Sequence, residues 1–121
     1  MSVEEDGAAF IDEDYVNIVP QDLLERGIRL REEYGIYGIA WRFDDVMEVL
    51  KITRDKGMII VGGDVYRLSG NEPIITYDCW SIESEDNDAF EVATQYITNY
   101  RARNGDDFAY CPVISPGRVP K

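Results

Sequence analysis

An apolar run that meets a pair of glycines constrains the fold of this chain more than any other feature of its sequence. Residues 58–61 read Met-Ile-Ile-Val, Gly62 and Gly63 follow, and residues 64–68 combine apolar Val and Leu with charged Asp and Arg. Another β-rich run, residues 74–80, comes shortly afterwards. Because glycine adopts positive φ without steric cost, a Gly-Gly pair between two such runs predicts a hairpin turn or a β-bulge. We therefore expect three consecutive strands here, with a recognition surface on or beside them.

The helical spacing of apolar residues predicts two long helices, over residues 43–56 and 89–103. The apolar stripe of the first is Val46, Val49, Leu50 and Thr53, and that of the second is Phe90, Ala93, Ile97 and Tyr100. Three residues that precede the second helix are candidates for its N-cap, namely Ser84, Asp86 and Asn87.

The remaining predicted elements are a short helix over residues 19–27 and strands over residues 35–41 and 108–111. Pro112 cannot donate a hydrogen bond to a neighbouring strand, which predicts that the last strand lies at an edge of the sheet or ends there. Consecutive strands flanked by helices predict an α+β fold. We expect a mainly antiparallel sheet of about four to five strands, with the two long helices and the short N-terminal helix packed on it.

The length of 121 residues predicts one domain, over residues 15–112. Residues 1–14 are expected to form a mobile acidic tail, and residues 113–121 a Pro-containing C-terminal tail. No run of 18 apolar residues is present, so no membrane span is expected. The acidic N-terminus lacks the pattern of a secretory signal, which predicts a cytoplasmic location.

The charge of the chain, −12 overall, is concentrated in two segments. Residues 1–14 carry six acids and residues 68–100 carry seven, and neither segment contains Lys or Arg. The rest of the chain is nearly balanced, with eleven acids against twelve bases. Such a field repels nucleic acid and anionic lipid and attracts basic partners. The partner predicted from charge is therefore a basic protein, although solvated acidic segments can also serve solubility alone.

Several kinds of chemistry are disfavoured by the residues present. The chain has no histidine, which removes the commonest general base and metal ligand. Cys79 and Cys111 are expected to be free, buried thiols. Val65 stands where the Gly-Gly-Asp-Glu-Phe hairpin of diguanylate cyclases has its second acid, and residues 86–88 lack the Gly and the distal Glu of a calcium loop. We expect no cofactor and no metal.

Three short strings together resemble a known family. Ile-Val-Gly-Gly-Asp-Val-Tyr at residues 60–66 is followed by Thr-Tyr-Asp-Cys-Trp at residues 76–80 and by Tyr-Ile-Thr-Asn-Tyr at residues 96–100. The combination resembles the bacterial immunity protein 40 family, in which Asn is usual at the position of Cys79. The resemblance covers residues 23–110. It implies an antidote of a polymorphic-toxin system, without catalytic residues, that binds a toxin domain and blocks it.

The residues and the resemblance together predict an immunity protein that neutralises a cognate toxin domain by stoichiometric binding, as a monomer or weak homodimer. If the toxin is a nuclease, its cleft is basic, and an acidic inhibitor can occlude it. The expected partner-binding residues are acids that steer and aromatics that anchor: Asp64, Tyr66, Tyr77, Asp78, Trp80, Glu83 and Glu85. Two alternatives stay open, a carboxylate-based metal-dependent enzyme and a general acidic mimic of nucleic acid.

Overall fold

A computed structural model of the protein describes residues 18–30, 38–82 and 88–115. Within them lie three helices, α1 (Gln21–Arg26), α2 (Phe43–Asp55) and α3 (Ala89–Asn104). The same residues contain five strands, β1 (Ile28–Arg29), β2 (Ile39–Arg42), β3 (Ile59–Ser69), β4 (Glu72–Ser81) and β5 (Phe108–Ser115). The predicted α+β class, the two long helices and the short N-terminal helix are confirmed. The predicted acidic tail, residues 1–14, lies outside the described residues.

The start of α3 corrects the predicted N-cap. The carboxylate of Asp88 accepts hydrogen bonds from the backbone N–H groups of Phe90 and Glu91, at 3.1 and 3.3 Å. Asp88 directly precedes the first helical residue and so occupies the capping position. The prediction of Ser84, Asp86 or Asn87 is therefore wrong, and these three residues lie outside the described part of the chain.

The strands form one antiparallel sheet in the order β1-β2-β5-β3-β4. Because α3 carries the chain from β4 back across the sheet, β5 inserts between β2 and β3. The prediction that the last strand is an edge strand or ends at Pro112 is therefore wrong. Pro112 pairs with Gly63 of β3, and the strand continues to Ser115. The residues of β5 that pair with β2 are Ala109 and Tyr110, which precede Pro112.

The Gly-Gly pair lies inside β3, so of its two predicted roles the bulge is confirmed and the hairpin turn is wrong. The register of β3 against β5 shifts between Ile60 and Gly62. A Cβ on Gly63 would overlap the indole ring of Trp80, and one on Gly62 would lie 2.5 Å from the carbonyl oxygen of the same residue. Glycine is required here because β4 packs too closely for a side chain. The turn between β3 and β4 contains Gly70, whose φ is 68°.

All three helices pack on one face of the sheet. The main core there includes Leu23 of α1, Val49 and Leu50 of α2, Ala93 and Ile97 of α3, and Trp41, Ile60, Val65, Trp80 and Tyr110 of the strands. Each large apolar side chain buried in this way contributes roughly 1.5–3 kcal/mol to stability. The opposite face, which we call the outer face, carries a smaller buried cluster of Leu30, Ala40, Tyr66, Leu68, Ala109 and Cys111.

Candidate recognition surface on strand β4

The pairing of β4, an edge strand of the sheet, with β3 is interrupted near its middle. Between the pairs Asp64–Cys79 and Tyr66–Ile75, β3 has one residue and β4 has three. Extra residues on one strand of an antiparallel pair form a bulge, which bends the strand and redirects its side chains. The three residues of β4 are Thr76, Tyr77 and Asp78, which we call the β4 bulge.

Hydrogen bonds to two neighbouring elements hold the β4 bulge. The hydroxyl of Thr76 donates to the carbonyl oxygen of Val65 in β3 at 2.8 Å, and it accepts from the backbone N–H of Asp78 at 3.0 Å. The carboxylate of Asp78 in turn accepts from the phenol of Tyr100 in α3, with 2.7 Å between Oδ2 and the phenol oxygen. The bulge is thus fixed to the sheet through Thr76 and to α3 through Asp78.

Tyr77 occupies the middle of the bulge in an unusual conformation. Its φ is 68°, which makes it the one non-glycine residue of the described chain with positive φ. Its side chain is 89 % exposed. The left-handed conformation costs an L-residue roughly 1–2 kcal/mol. Such a conformation persists only where the surroundings enforce it, as the hydrogen bonds of Thr76 and Asp78 do here.

The phenol that binds Asp78 is itself held in place. Burial, and then the hydrogen bond to Asp78, raises the pKa of Tyr100 to about 12, so the hydroxyl keeps its proton and donates at neutral pH. The ring centroid of Tyr100 lies 5.3 Å from that of Phe108 and 6.0 Å from that of Tyr96. Tyr96 stacks on Trp80 with 5.1 Å between centroids. This aromatic packing connects α3 to the end of β4.

The outer face of β3 and β4 presents apolar side chains to solvent. Among the described residues, the exposed large hydrophobic side chains are Ile59, Val61, Ile75 and Tyr77. Ile75 lies on the outer face because it pairs with Tyr66, which belongs to the outer-face cluster. Ile59 lies there because it alternates along β3 with Ile60 of the main core. Of these side chains, Ile75 directly precedes the β4 bulge, whereas Ile59 lies at the far end of β3.

Asp64 lies on the outer face between the two cysteines. Its register partners are Cys79 of β4 and Cys111 of β5, so two strand spacings, about 9–10 Å, separate the Cα atoms of the cysteines. That distance is beyond the reach of a disulfide, and both thiols are free, as predicted. Cys111 is buried as expected, but the predicted burial of Cys79 is wrong, because Cys79 is exposed on the edge strand. Partial burial raises the pKa of the Asp64 carboxyl group.

The structure separates the predicted partner-binding residues into three groups. Asp64, Tyr77 and Asp78 are exposed, on or beside the β4 bulge. Tyr66 and Trp80 are only 5 % and 7 % exposed, in the cores on opposite faces of the sheet, so neither ring is offered to a partner in this conformation. The role of all seven residues in binding stays a prediction. The two that lie outside the described residues are Glu83 and Glu85.

Sequence reasoning missed two features of strands β3 and β4. The exposed Ile59 and Val61 could have been found, because they alternate with the buried Ile60 in the manner of a strand with one solvated face. The contact between Asp78 and Tyr100 left no local signal, because it joins an edge strand to a helix that is separated from it along the chain.

The described residues were compared with the requirements of a membrane span, a metal site and a pocket. No helix among them is both long and apolar enough to cross a membrane. Their Cys, Asp and Glu side chains form no group of three that could hold a metal ion. An open depression of about 380 Å³ lies beside α1 and β1, at the sheet edge away from β4, and is lined by Gln21, Leu24, Glu25, Gly27 and Arg29.

Comparison with models of protein families gives a match to Immunity protein 40 over residues 29–114. The matched segment runs from β1 into β5 and contains the whole of the β4 bulge. No match is found among curated proteins or among solved structures. Because the family model covers most of the chain, the resemblance seen in the sequence is confirmed, and the protein belongs to the immunity protein 40 family.

Proposed function

We propose that this chain is an immunity protein that binds a cognate toxin domain and neutralises it in a stoichiometric complex. The observation that carries the proposal is the family match over residues 29–114. Binding, rather than catalysis, is the mode that the exposed β4 bulge and the segregated negative charge support. The bulge and the acidic segment of residues 68–100 both lie within the matched residues.

The surface around the β4 bulge is the proposed toxin-binding surface. It belongs to the segment of residues 68–100, which contains seven acids and no Lys or Arg. Asp64 is exposed beside the bulge, Asp78 is exposed within it, and Glu83 and Glu85 follow β4 in the chain. Charges gathered on one surface act over about 8–10 Å at physiological salt, attract a basic partner and raise its association rate.

The proposed partner is a basic toxin domain, and a nuclease is the type of toxin that the charge favours. A nuclease must attract phosphates into its cleft, so an acidic inhibitor competes with nucleic acid for the same field. The proposed encounter occurs in the cytoplasm of the cell that makes the chain. The chain acts there as a monomer or weak homodimer.

Co-expression with a toxin domain tests the function. The toxin domain to use is the C-terminal domain of a large secreted protein, sought in the gene that neighbours the gene for this chain. We expect the chain to restore growth of cells that produce this domain, and the purified proteins to form a 1:1 complex measured by light scattering. Continued killing by the toxin domain, with no complex between the purified proteins, contradicts the proposal.

Charge reversal tests the proposed surface separately. Glu83→Lys should lower the association rate constant about threefold at low salt and less at high salt, because salt screens exposed charges. The matched control is Glu48→Lys, an equal change of charge on an exposed position of α2. Equal slowing by both variants, or equally tight binding of the chain to a basic protein such as lysozyme, contradicts a specific surface and favours a general acidic mimic.

A further inference from the structure

We infer that Tyr77 is the side chain that anchors the chain to its partner, and that the β4 bulge exists to present it. The inference rests on the proposed function and deepens it. It names the residue that carries the largest share of the affinity, and it describes the site on the toxin domain that receives this residue.

The fold makes no evident use of the Tyr77 ring. The residue is 89 % exposed, and its ring makes no hydrogen bond or ring contact with the other described residues. The backbone beneath it is strained, with a φ of 68°. If the bulge served only to interrupt an edge strand, Gly or Asn would adopt this conformation more easily. A large aromatic side chain kept in water on a strained backbone indicates a role in contact with another molecule.

The hydrogen bonds around Tyr77 give it the rigidity that an anchor needs. Thr76, the residue before Tyr77, is hydrogen-bonded to β3. Asp78, the residue after Tyr77, is hydrogen-bonded to Tyr100 of α3. With the backbone fixed, binding has only the two side-chain torsions of the ring to immobilise, which lowers the entropy lost on association. Tyrosine is also among the residues that most often dominate binding energy at protein interfaces.

The surroundings of Tyr77 specify the chemistry of its receiving site. The carboxylate of Asp78 belongs to the bulge, in a segment of the chain without Lys or Arg, and Asp64 lies beside it on the neighbouring strand β3. Ile75 precedes the bulge and extends its apolar area on the outer face. The complementary site is an apolar pocket with a rim of Arg or Lys on a protein, where a guanidinium group can also stack on the ring. Phosphate groups of nucleic acid or lipid are repelled.

Tyr100 is a positioning residue in this arrangement. It reaches the partner only through Asp78 and the bulge, since its own ring is 7 % exposed and packs against Phe108. Loss of its hydroxyl should therefore weaken binding only as long as Tyr77 is present to be positioned. This dependence separates positioning from a general effect on folding.

The experiment measures dissociation constants against the purified toxin domain of the neighbouring gene by biolayer interferometry. The variants are Tyr77→Ala, Tyr77→Gly, Tyr77→Phe and Tyr100→Phe, together with the double variant Tyr77→Ala/Tyr100→Phe. The matched control is Ile59→Ala, which removes an exposed apolar side chain from the far end of β3. Thermal unfolding of each variant reports whether it folds, and Tyr77→Gly provides an anchor-free variant whose backbone strain is relieved.

We expect Tyr77→Ala and Tyr77→Gly each to weaken binding about 30-fold or more, the loss typical of a dominant interface residue. Tyr77→Phe keeps the ring and should bind within about tenfold of the wild type. Tyr100→Phe should weaken binding several-fold alone and have no further effect when combined with Tyr77→Ala. Ile59→Ala should bind within about twofold of the wild type.

Three outcomes overturn the inference in distinguishable ways. If the wild-type chain forms a tight complex and Tyr77→Gly binds equally well, the anchor is wrong while the proposed function stands. If that variant instead forms dimers through its edge strand, the bulge serves to prevent strand pairing. If the wild-type chain does not bind the toxin domain at all, the proposed function fails and the anchor fails with it.

Discussion

The described sheet contains two bulges, one in β3 and one in β4, and the residues at them differ in conformational freedom and in exposure. The bulge in β3 falls at Val61, directly before Gly62 and Gly63, and these two glycines are buried against Trp80. The β4 bulge, on the neighbouring strand, has Tyr77 at positive φ with its ring in solvent. The first uses the residue with the lowest conformational strain, whereas the second accepts strain at an exposed position.

The difference indicates what each irregularity is for. In β3 the absent side chains make room for the core, so the glycines contribute to folding. In β4 the hydrogen bonds of Thr76 and Asp78 maintain a conformation that tyrosine disfavours, and the ring makes no hydrogen bond or ring contact with the described residues. We therefore assign the bulge in β3 to stability and propose the bulge in β4 for recognition. Three stability measurements test this contrast.

The largest loss of stability is expected from a side chain placed at Gly63, next to the bulge in β3. Gly63→Val places a side chain where the indole of Trp80 lies, so the indole or the strand must move. Overpacking of this kind typically costs up to about 3 kcal/mol, a large part of the stability of a small domain. Urea unfolding followed by tryptophan fluorescence should show a strongly lowered midpoint. The control is Gly57→Ala, which keeps a positive φ of 78° but meets no atom within 4 Å, and should cost only about 1 kcal/mol.

A smaller effect is expected from removing the hydroxyl of Tyr100. At pH 8, Tyr100→Phe deletes the hydrogen bond to Asp78 and should lower the free energy of unfolding by about 1.5 kcal/mol. The pKa of Tyr100 is raised to about 12 in the folded chain, whereas tyrosine in an unfolded chain titrates near pH 10. The unfolded chain therefore releases a proton that the folded chain retains, and stability falls as pH rises from 10 to 12. Tyr100→Phe should remove part of this fall.

Tyr110→Phe is the matched control for that change. Burial also raises the pKa of Tyr110 to about 12, but its hydroxyl has no hydrogen-bond partner among the described residues. Its removal should reduce the loss of stability between pH 10 and 12 without lowering stability at pH 8. Equal destabilisation at pH 8 by both phenylalanine variants contradicts a special role for the bond between Asp78 and Tyr100. Urea midpoints at pH 8 and pH 11 supply the comparison.

The elements of the fold could be predicted because they depend on local patterns. Val46 and Leu50 in one helix and Ala93 and Ile97 in another recur at helical spacing, and those stripes are buried. The order of the strands depends on where α3 returns the chain, which local pattern does not encode. For that reason Pro112 is found in a strand at the interior of the sheet.

The candidate surface was only partly predictable for a related reason. Tyr66, Tyr77 and Trp80 all have the composition of anchors, but the register and the bulges decide which face each ring occupies. Those shifts bury Tyr66 in the outer-face cluster and Trp80 in the main core, and they leave Tyr77 in solvent. A one-residue shift exchanges the faces of a strand, so composition alone cannot distinguish buried aromatic residues from exposed ones.

The smallest stability effect tests the strain at Tyr77 directly. Tyr77→Gly relieves a conformational cost of roughly 1–2 kcal/mol, but glycine also loses about 0.5–1 kcal/mol more backbone entropy on folding. The net result should be a gain of about 0.5 kcal/mol in the free energy of unfolding, measured by urea titration. Tyr77→Ala keeps the β-carbon and should bring no gain. If Tyr77→Gly instead destabilises the chain, the ring supports the fold, and the contrast between the two bulges is lost. A gain in stability that accompanies weaker toxin binding is the combination expected of a side chain retained for recognition.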